Sequence, residues 1–363
     1  MIIQIQPWIN ELELEELTKV INSTFITENN MTKEFESMTI GLTGAKYAIS
    51  VANGTLGLYC ALLALGIGPG DEVLVPDMTF IASANAVIMS GAKPVLCDID
   101  LNSFGISVNN LSSRLSKKTK AIMPVHLYGK TAEMHSILKF AKEHNLRVIE
   151  DASQGVGVHY KGLHVGTFGD IGVLSYYGNK TITTGEGGII LTNDENLANI
   201  CYRLKNHGRD QKGSFKHDYI GFNFSFTDLQ AAVGVSQMKK LPKIIRRKKE
   251  IFDKYFTELS DIEELSFYKI NNQENPVYWF TSLASSKRES LAEFLIEEGI
   301  QTRRFFYPLH LQPCYENSPK INKKGEFNIS DKLYETGISL PSSYILNDEE
   351  QNFVIDKIKK FFN

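Results

Sequence analysis

Ser175-Tyr-Tyr-Gly-Asn-Lys180-Thr-Ile-Thr-Thr-Gly-Glu-Gly-Gly188 sets one lysine in a run of hydroxyls and glycines. Upstream, Ile171-Gly-Val-Leu-Ser175-Tyr176 reads as a buried strand. Downstream, Gly187-Gly-Ile-Ile-Leu-Thr192 reads as another. Lys180 is therefore predicted on a tight excursion between two strands, where glycines let backbone approach a ligand closely. A lysine that attacks a carbonyl must shed its proton near neutral pH, which takes a desolvated pocket or a neighbouring positive charge. From these residues alone two readings stand: such a working amine, and the solvated surface lysine that is the commoner fate.

The rest of the chain narrows the class. Its 363 residues, 42% of them hydrophobic, can bury a large core and suggest two domains. A net charge of -3 gives no reason to expect nucleic acid as a partner. The one basic run, Lys243 to Lys249, falls on a predicted helix and reads as a solvated face. Cys60, Cys97, Cys201 and Cys314 are far apart, without the close pairs of a zinc site, so no metal is expected and a reducing compartment is. The opening Met-Ile-Ile-Gln-Ile-Gln-Pro-Trp8 and acidic Glu11 to Glu16 lack the regions of a signal peptide, and no apolar run approaches a membrane helix. The expectation is a cytoplasmic protein with no membrane partner.

Taken in order, Leu12 to Asn22 has helical spacing, and a polar loop leads from it into a second helix. Tyr47-Ala-Ile-Ser-Val-Ala-Asn53-Gly54-Thr55 then places a strand end before an apolar helix through Leu65. Free amides at such a helix start make an anion site, and an ordinary Asn or Thr cap is the simpler alternative. Gly66-Ile-Gly68-Pro-Gly70 resembles a dinucleotide loop but ends a helix and precedes a strand, the reverse of the required order. From Glu72 to Glu150 strands and helices alternate, with helices predicted near Ile81–Ser90, Val108–Ser116 and Ala132–His144. That alternation predicts an α/β fold with a mainly parallel sheet covered on both faces. Ligands in such sheets sit at the carboxyl ends of the strands, where Asp77-Met-Thr-Phe80 and Glu150-Asp151-Ala-Ser-Gln154 fall. Phe80 suits stacking on a flat ring, and a packed core is the commoner place for such a side chain. A carboxylate such as Asp151 at a buried strand end costs several kcal/mol unless a cation or several donors compensate it.

Further on, a helix is predicted over Glu195 to Asn206, and a polar loop precedes Gly221-Phe-Asn223-Phe-Ser-Phe-Thr-Asp228. Helices over Gln230–Lys240 and Ile244–Leu259 lead into a smaller α/β domain. Its predicted pieces are a strand Val277–Leu283, a helix Ser290–Glu298 and the segment Arg303-Arg304-Phe-Phe-Tyr-Pro308-Leu-His310-Leu-Gln-Pro313. The expected division is a large domain of residues 1–238 and a small domain of residues 239–363. No internal repeat or low-complexity segment appears.

The lysine segment resembles that of the DegT/DnrJ/EryC1/StrS aminotransferases, and Asn53–Thr55, Asp151–Gln154 and Tyr307–Pro313 extend the resemblance over nearly the whole chain. It is strongest to sugar-nucleotide 4-aminotransferases of the perosamine synthase type. The resemblance implies a fold-type I enzyme dependent on pyridoxal 5'-phosphate, passing through the pyridoxamine 5'-phosphate form. It casts Lys180 as the catalytic amine, Asp151 as partner of the ring nitrogen and Gln154 as contact of the ring hydroxyl. Phe80 would stack on the ring, Gly54, Thr55 and Ser175 would bind phosphate, and His310 would touch substrate. Asn223 would reach the phosphate of a neighbouring subunit, so that a homodimer completes each site. The Phe-Ser-Phe after Asn223 departs from the basic or bulky residues usual there. L-glutamate is the expected amino donor and GDP-4-keto-6-deoxymannose the expected acceptor, for amino sugars of surface polysaccharide or glycoconjugate. The alternatives are another nucleoside-diphosphate keto-sugar, a small phosphorylated ketone, and a non-catalytic pyridoxal-phosphate-binding regulator.

Overall fold

A computed structural model describes residues 1–210, 215–268 and 274–363. The polar loop expected before Gly221 includes residues 211–214, which lie outside the described residues. The first half runs α1 (Glu11–Ser23), α2 (Asn30–Thr43), β1 (Tyr47–Val51), α3 (Gly54–Ala64), β2 (Glu72–Pro76), α4 (Ala82–Met89) and β3 (Lys93–Cys97). It continues through β4 (Thr119–Ile122), α5 (Met134–Glu143), β5 (Arg147–Asp151), the short hairpin of β6 (His159–Tyr160) and β7 (Leu163–His164), and β8 (Ile171–Ser175). After β9 (Gly188–Thr192) come α6 (Glu195–Lys205) and the long α7 (Asp228–Leu259). The chain finishes with β10 (Leu265–Phe267), β11 (Glu274–Asn275), β12 (Thr281–Ser285), α8 (Arg288–Glu297), β13 (Arg303–Arg304), α9 (Asn328–Thr336), β14 (Gly337–Leu340) and α10 (Asp348–Phe362).

Seven strands form the main sheet in the order β1-β9-β8-β5-β4-β2-β3. All neighbours from β8 to β3 pair in parallel, and β9 alone runs against the rest. These strands are almost wholly buried, as expected of a sheet with helices on both faces. Their shared direction brings the carboxyl ends of β1, β2, β5 and β8 to one edge, where Asn53, Asp77, Asp151 and Ser175 follow or end them. Because β9 is reversed, its first residue, Gly188, meets the same edge. A four-stranded antiparallel sheet, β10-β12-β14-β13, makes the second lobe, its core built from Leu283, Leu291, Leu295, Ile338, Val354 and Ile358. Among the described residues no helix is long and apolar enough to cross a membrane.

Four local expectations differ from the structure. Over Val108–Ser116 there is no α-helix, only two single 3-10 turns at Val108–Asn110 and Ser112–Arg114. Asn and Ser side chains there compete for backbone partners, and only Leu111 is buried enough to anchor the segment. The strand expected from Val277 starts at Thr281 instead, because Trp279 N–H closes a tight turn onto the Val277 carbonyl at 2.6 Å. Pro242 does not separate two helices. It sits inside the continuous α7, where Leu241 and Ile244 are buried on either side, and that packing outweighs the lost N–H, worth about 3 kcal/mol. Within the basic run, Lys248 is fully buried while Lys243, Arg246 and Lys249 are exposed.

The chain passes between the lobes repeatedly. The position between 238 and 239 lies within α7. At the other end of the chain, Ile2 pairs with the second lobe through Gly299 and Gln301. Leu309, Tyr315, Ile321 and Phe327 return from the second lobe into the core of the first, and Asn322 pairs beside Val95 of β3.

Candidate active site

Where these strand ends meet the second lobe, a cavity of about 550 Å³ opens, within the range of small-molecule sites. Its floor is the start of α3. Asn53 caps that helix, its side chain accepting from Leu56 N–H at 3.0 Å, so the cap reading is correct. The cap leaves the amides of Gly54 and Thr55, at the first two helical positions, without an intrahelical acceptor, and both residues line the cavity. Ser153 and Ser175 stand opposite. A Cβ on Gly54 would lie 3.0 Å from Ser175 Cβ and 3.3 Å from both serine hydroxyls, so glycine keeps this pocket of donors open. Unsatisfied amides, hydroxyls and a helix N-terminus together suit a phosphate.

Beyond this cradle, Asp151 is buried at the end of β5. One carboxylate oxygen accepts from Ser153 N–H at 3.1 Å and the other from Ser83 Oγ at 2.6 Å. Thr79 Oγ1 lies 3.1 Å from Ser83 Oγ, so a relay of hydroxyls from the start of α4 aims the carboxylate. The turn leading into α4 also carries Phe80, which is exposed into the cavity with its ring 6.0 Å from that of Phe306. Gln154 is fixed differently. Its side-chain oxygen accepts from Tyr128 N–H at 2.6 Å, which leaves its amide nitrogen as the free donor. Tyr128 adopts a left-handed backbone (φ 54°), and its hydroxyl accepts from Phe306 N–H.

Lys180 faces this arrangement from the excursion between β8 and β9. Its N–H closes a turn onto the Tyr177 carbonyl, and the Trp279 indole N–H donates to the neighbouring Asn179 carbonyl at 2.7 Å. The amine sits 4.4 Å from the Trp279 ring centre. Although open to the cavity, the side chain is walled in closely enough that desolvation draws its pKa down to about 8. Asp151 pulls it up and Arg303 pushes it further down. The working-amine reading of Lys180 therefore has its environment.

Gly54, Thr55, Phe80, Asp151, Gln154, Ser175 and Lys180 thus line one cavity. Two other expected site residues do not. Asn223 is exposed, outside this chain's own cavity, with its side chain accepting from Ser225 N–H at 3.3 Å and its backbone bridged to Asn206. His310 lies away from the cavity. Its Nδ1 is 2.8 Å from Asp77, its Nε2 is 3.4 Å from Asp331, and its ring stacks on Phe327. Burial lowers the imidazole's pKa, but the hydrogen bond and charge of Asp77 outweigh it, and the net shift is upward. His310 fastens the 309–327 return to the end of β2. Sequence reasoning missed Ser83, Trp279 and Arg303. Thr79 and Ser83 stand four residues apart across the start of a helix, which is the one signal that could have suggested the relay.

The residues present fit pyridoxal phosphate: a cradle for its phosphate, a carboxylate for its ring nitrogen, an amide donor for its ring oxygen and a lysine for its aldehyde. The comparisons agree. The DegT/DnrJ/EryC1/StrS aminotransferase family profile matches residues 7–359. The GDP-perosamine synthase of Escherichia coli O157:H7 is 39% identical over 362 residues, which cover 99% of this chain and 98% of that protein. Among solved structures, the aminotransferase TlmJ from Streptoalloteichus hindustanus superposes with a TM-score of 0.93 at 29% identity, covering 99% of this chain and 98% of that one. The Bacillus subtilis NtdA structure with bound cofactor PMP gives 0.90 at 29% identity, covering 97% of this chain and 81% of that one. The chain belongs to the DegT/DnrJ/EryC1/StrS aminotransferase family, and it is a pyridoxal-phosphate-dependent sugar aminotransferase.

Proposed function

We propose that this chain moves the amino group of L-glutamate onto the keto carbon of GDP-4-keto-6-deoxymannose, giving a GDP-linked 4-amino sugar for surface polysaccharide or glycoconjugate. The observation that carries this reading is the Lys180 amine, brought toward neutral pH in a cavity that also offers an anion cradle and a buried carboxylate. The perosamine synthase relative supports the GDP-linked acceptor.

Pyridoxal phosphate, when bound, supplies the electron sink that lets a proton leave the donor's α-carbon. The chain's residues do the rest. The Gly54 and Thr55 amides, with the hydroxyls of Thr55 and Ser175, hold the phosphate. Asp151, aimed by Ser83, would keep the ring nitrogen protonated, Gln154 would donate to the ring oxygen, and Phe80 would pack against the ring. Lys180 Nζ is the base that would carry a proton between the donor's α-carbon and the bound cofactor, and with the keto-sugar it would carry one in the opposite direction. The exposed Asn223 reaches the phosphate of a second copy, so that two subunits complete two sites.

The test is the visible absorption of the purified protein with pyridoxal phosphate, before and after L-glutamate. Wild type is expected to show the band of lysine-bound cofactor and to lose it to the pyridoxamine form on adding glutamate, whereas Lys180→Ala shows neither. The pyridoxamine-loaded enzyme is then offered keto-sugars on different nucleotides. If wild type never binds the cofactor covalently, the assignment of Lys180 is wrong.

A further inference from the structure

The loop that follows β4, residues 126–132, is buried along its whole length, although loops ordinarily run over the surface, where water meets their backbone groups. One imidazole closes it. His126 is fully buried; its Nδ1 accepts from Ala132 N–H at 3.2 Å, and its Nε2 lies 3.0 Å from Glu150. An amide N–H can only donate, so Nδ1 is the bare nitrogen and the proton is on Nε2, which donates to Glu150. The Glu150 carboxylate is fixed as well, because the amides of Gly166, Phe168 and Gly169 donate to its two oxygens at 2.8, 2.7 and 2.7 Å. Neither the ring nor the carboxylate can turn without leaving a buried donor unpaired.

The closed loop carries groups that meet the cavity wall. Tyr128 N–H, presented from the left-handed backbone described above, occupies the side-chain oxygen of Gln154 at 2.6 Å. The Tyr128 hydroxyl accepts at 2.9 Å from the N–H of Phe306, a cavity residue. The next residue, Gly129, accepts from Val277 N–H at 3.1 Å, so the loop also abuts the turn that bears Trp279. Of these contacts, the one to Gln154 has a direct chemical consequence. A side-chain amide offers one oxygen and one NH2 group, and with the oxygen held by Tyr128 only the NH2 group is left for the cavity. An N–H donor facing the cofactor's ring oxygen favours the anionic form of that oxygen, whereas an amide oxygen turned the same way would repel it.

We propose that His126 is a positioning residue for the cofactor's ring oxygen: it closes the 126–132 loop, and the closed loop fixes, through Tyr128 N–H, which end of the Gln154 amide faces the cavity. The inference rests on the Gln154 assignment above. Glu150 supports it by holding His126 in the tautomer that leaves Nδ1 free to accept.

The experiment reads the spectrum of bound pyridoxal phosphate, whose visible band belongs to the form with an ionised ring oxygen and whose near-ultraviolet band belongs to the form with that oxygen protonated. Three single variants are compared with wild type as holoenzymes. His126→Gln keeps a donor for Glu150 but has no acceptor for Ala132; His126→Asn keeps the acceptor but not the donor; Gln154→Ala removes the target. At fixed pH the ratio of visible to near-ultraviolet band should fall about tenfold in Gln154→Ala and in His126→Gln, the weight of one hydrogen bond. Combining these two substitutions should lower it no further, since both act on one contact. His126→Asn should lose stability to urea yet keep a ratio near that of wild type, whereas an imidazole with a purely structural role would leave the two His126 variants alike. Phosphorus NMR of the bound phosphate, which reports the Gly54 and Ser175 cradle, should not move in any of them. The proposal is overturned if Gln154→Ala leaves the ratio unchanged, if the two effects add, if both His126 variants shift it equally, or if the phosphate signal moves. Should the His126 variants fail to fold, nitrogen NMR of histidine-labelled wild type decides the matter. The His126 proton is expected on Nε2, the reverse of His164, whose Nε2 accepts from Gly157 N–H at 2.9 Å; a His126 proton on Nδ1 overturns the proposal. None of these readings uses glutamate or a keto-sugar, so failure of the donor or acceptor assignment would leave them standing.

Discussion

Lys248 and Lys180 are both drawn below the ordinary basicity of lysine by desolvation, to about 7 and about 8 respectively, but only Lys180 faces the cavity. Lys248 is buried on α7 and donates to the carbonyls of Trp279 and Ser342, each at 3.0 Å, so it anchors the turn that presents Trp279 to Lys180. Its folded pKa lies below the unfolded one, so between about pH 7 and 10 the unfolded chain holds more protons and stability rises with pH; below about 7 this group adds no further slope. Urea unfolding of wild type and Lys248→Met across pH 7 to 9.5 should therefore show a gentler rise in the variant. The difference should approach about 1 kcal/mol per pH unit, and parallel curves would refute it. Such a residue is hard to read from sequence. Lys248 sits among exposed bases in a polar run, and only the fold shows that its turn of the helix is covered. Lys180 and Asp151 were legible because the residues around them in sequence carry the family resemblance, whereas Ser83 and Arg303 acquire roles from residues that lie far away in the chain.

At the level of elements, the site depends on how closely β9 passes the start of α3. A Cβ on Gly188 would lie 2.7 Å from the Asn53 carbonyl and 2.9 Å from Gly54 N. Gly188→Ala should push the first turn of α3 out of line, weaken pyridoxal phosphate at least tenfold by titration, and leave the far-ultraviolet circular dichroism near that of wild type. Unchanged cofactor affinity would show that the close approach is dispensable. The alternating strands from β1 to β5 were readable because each is a short apolar run bounded by turn residues. The pieces that were misread are those in which a local signal met a tertiary one. Apolar residues from Val277 suggested a strand, yet Trp279 walls the site from a turn, and two helices were expected over Gln230–Lys240 and Ile244–Leu259, yet packing carries a single α7 through Pro242.

For the whole molecule, the proposed exchange of Asn223 between subunits makes a sharp prediction. Asn223→Ala and Lys180→Ala should each be nearly inactive alone. Refolded together in equal amounts they should recover about a quarter of wild-type activity, because half of the dimers pair one chain of each kind and carry one intact site. Recovery at the level of the separate variants would mean that each chain completes its own site. This feature was beyond the reach of periodicity, since nothing in a single chain marks which exposed asparagine serves a neighbour. The segment from Leu309 to Phe327 has one more consequence. Together with the N-terminal pairing at Ile2 and the uninterrupted α7, it joins the lobes at well-separated places. A hinge motion of the second lobe would have to carry all three crossings with it, whereas the side chains exposed at the cavity, Phe80, Tyr177 and Arg303, can turn without disturbing any of them.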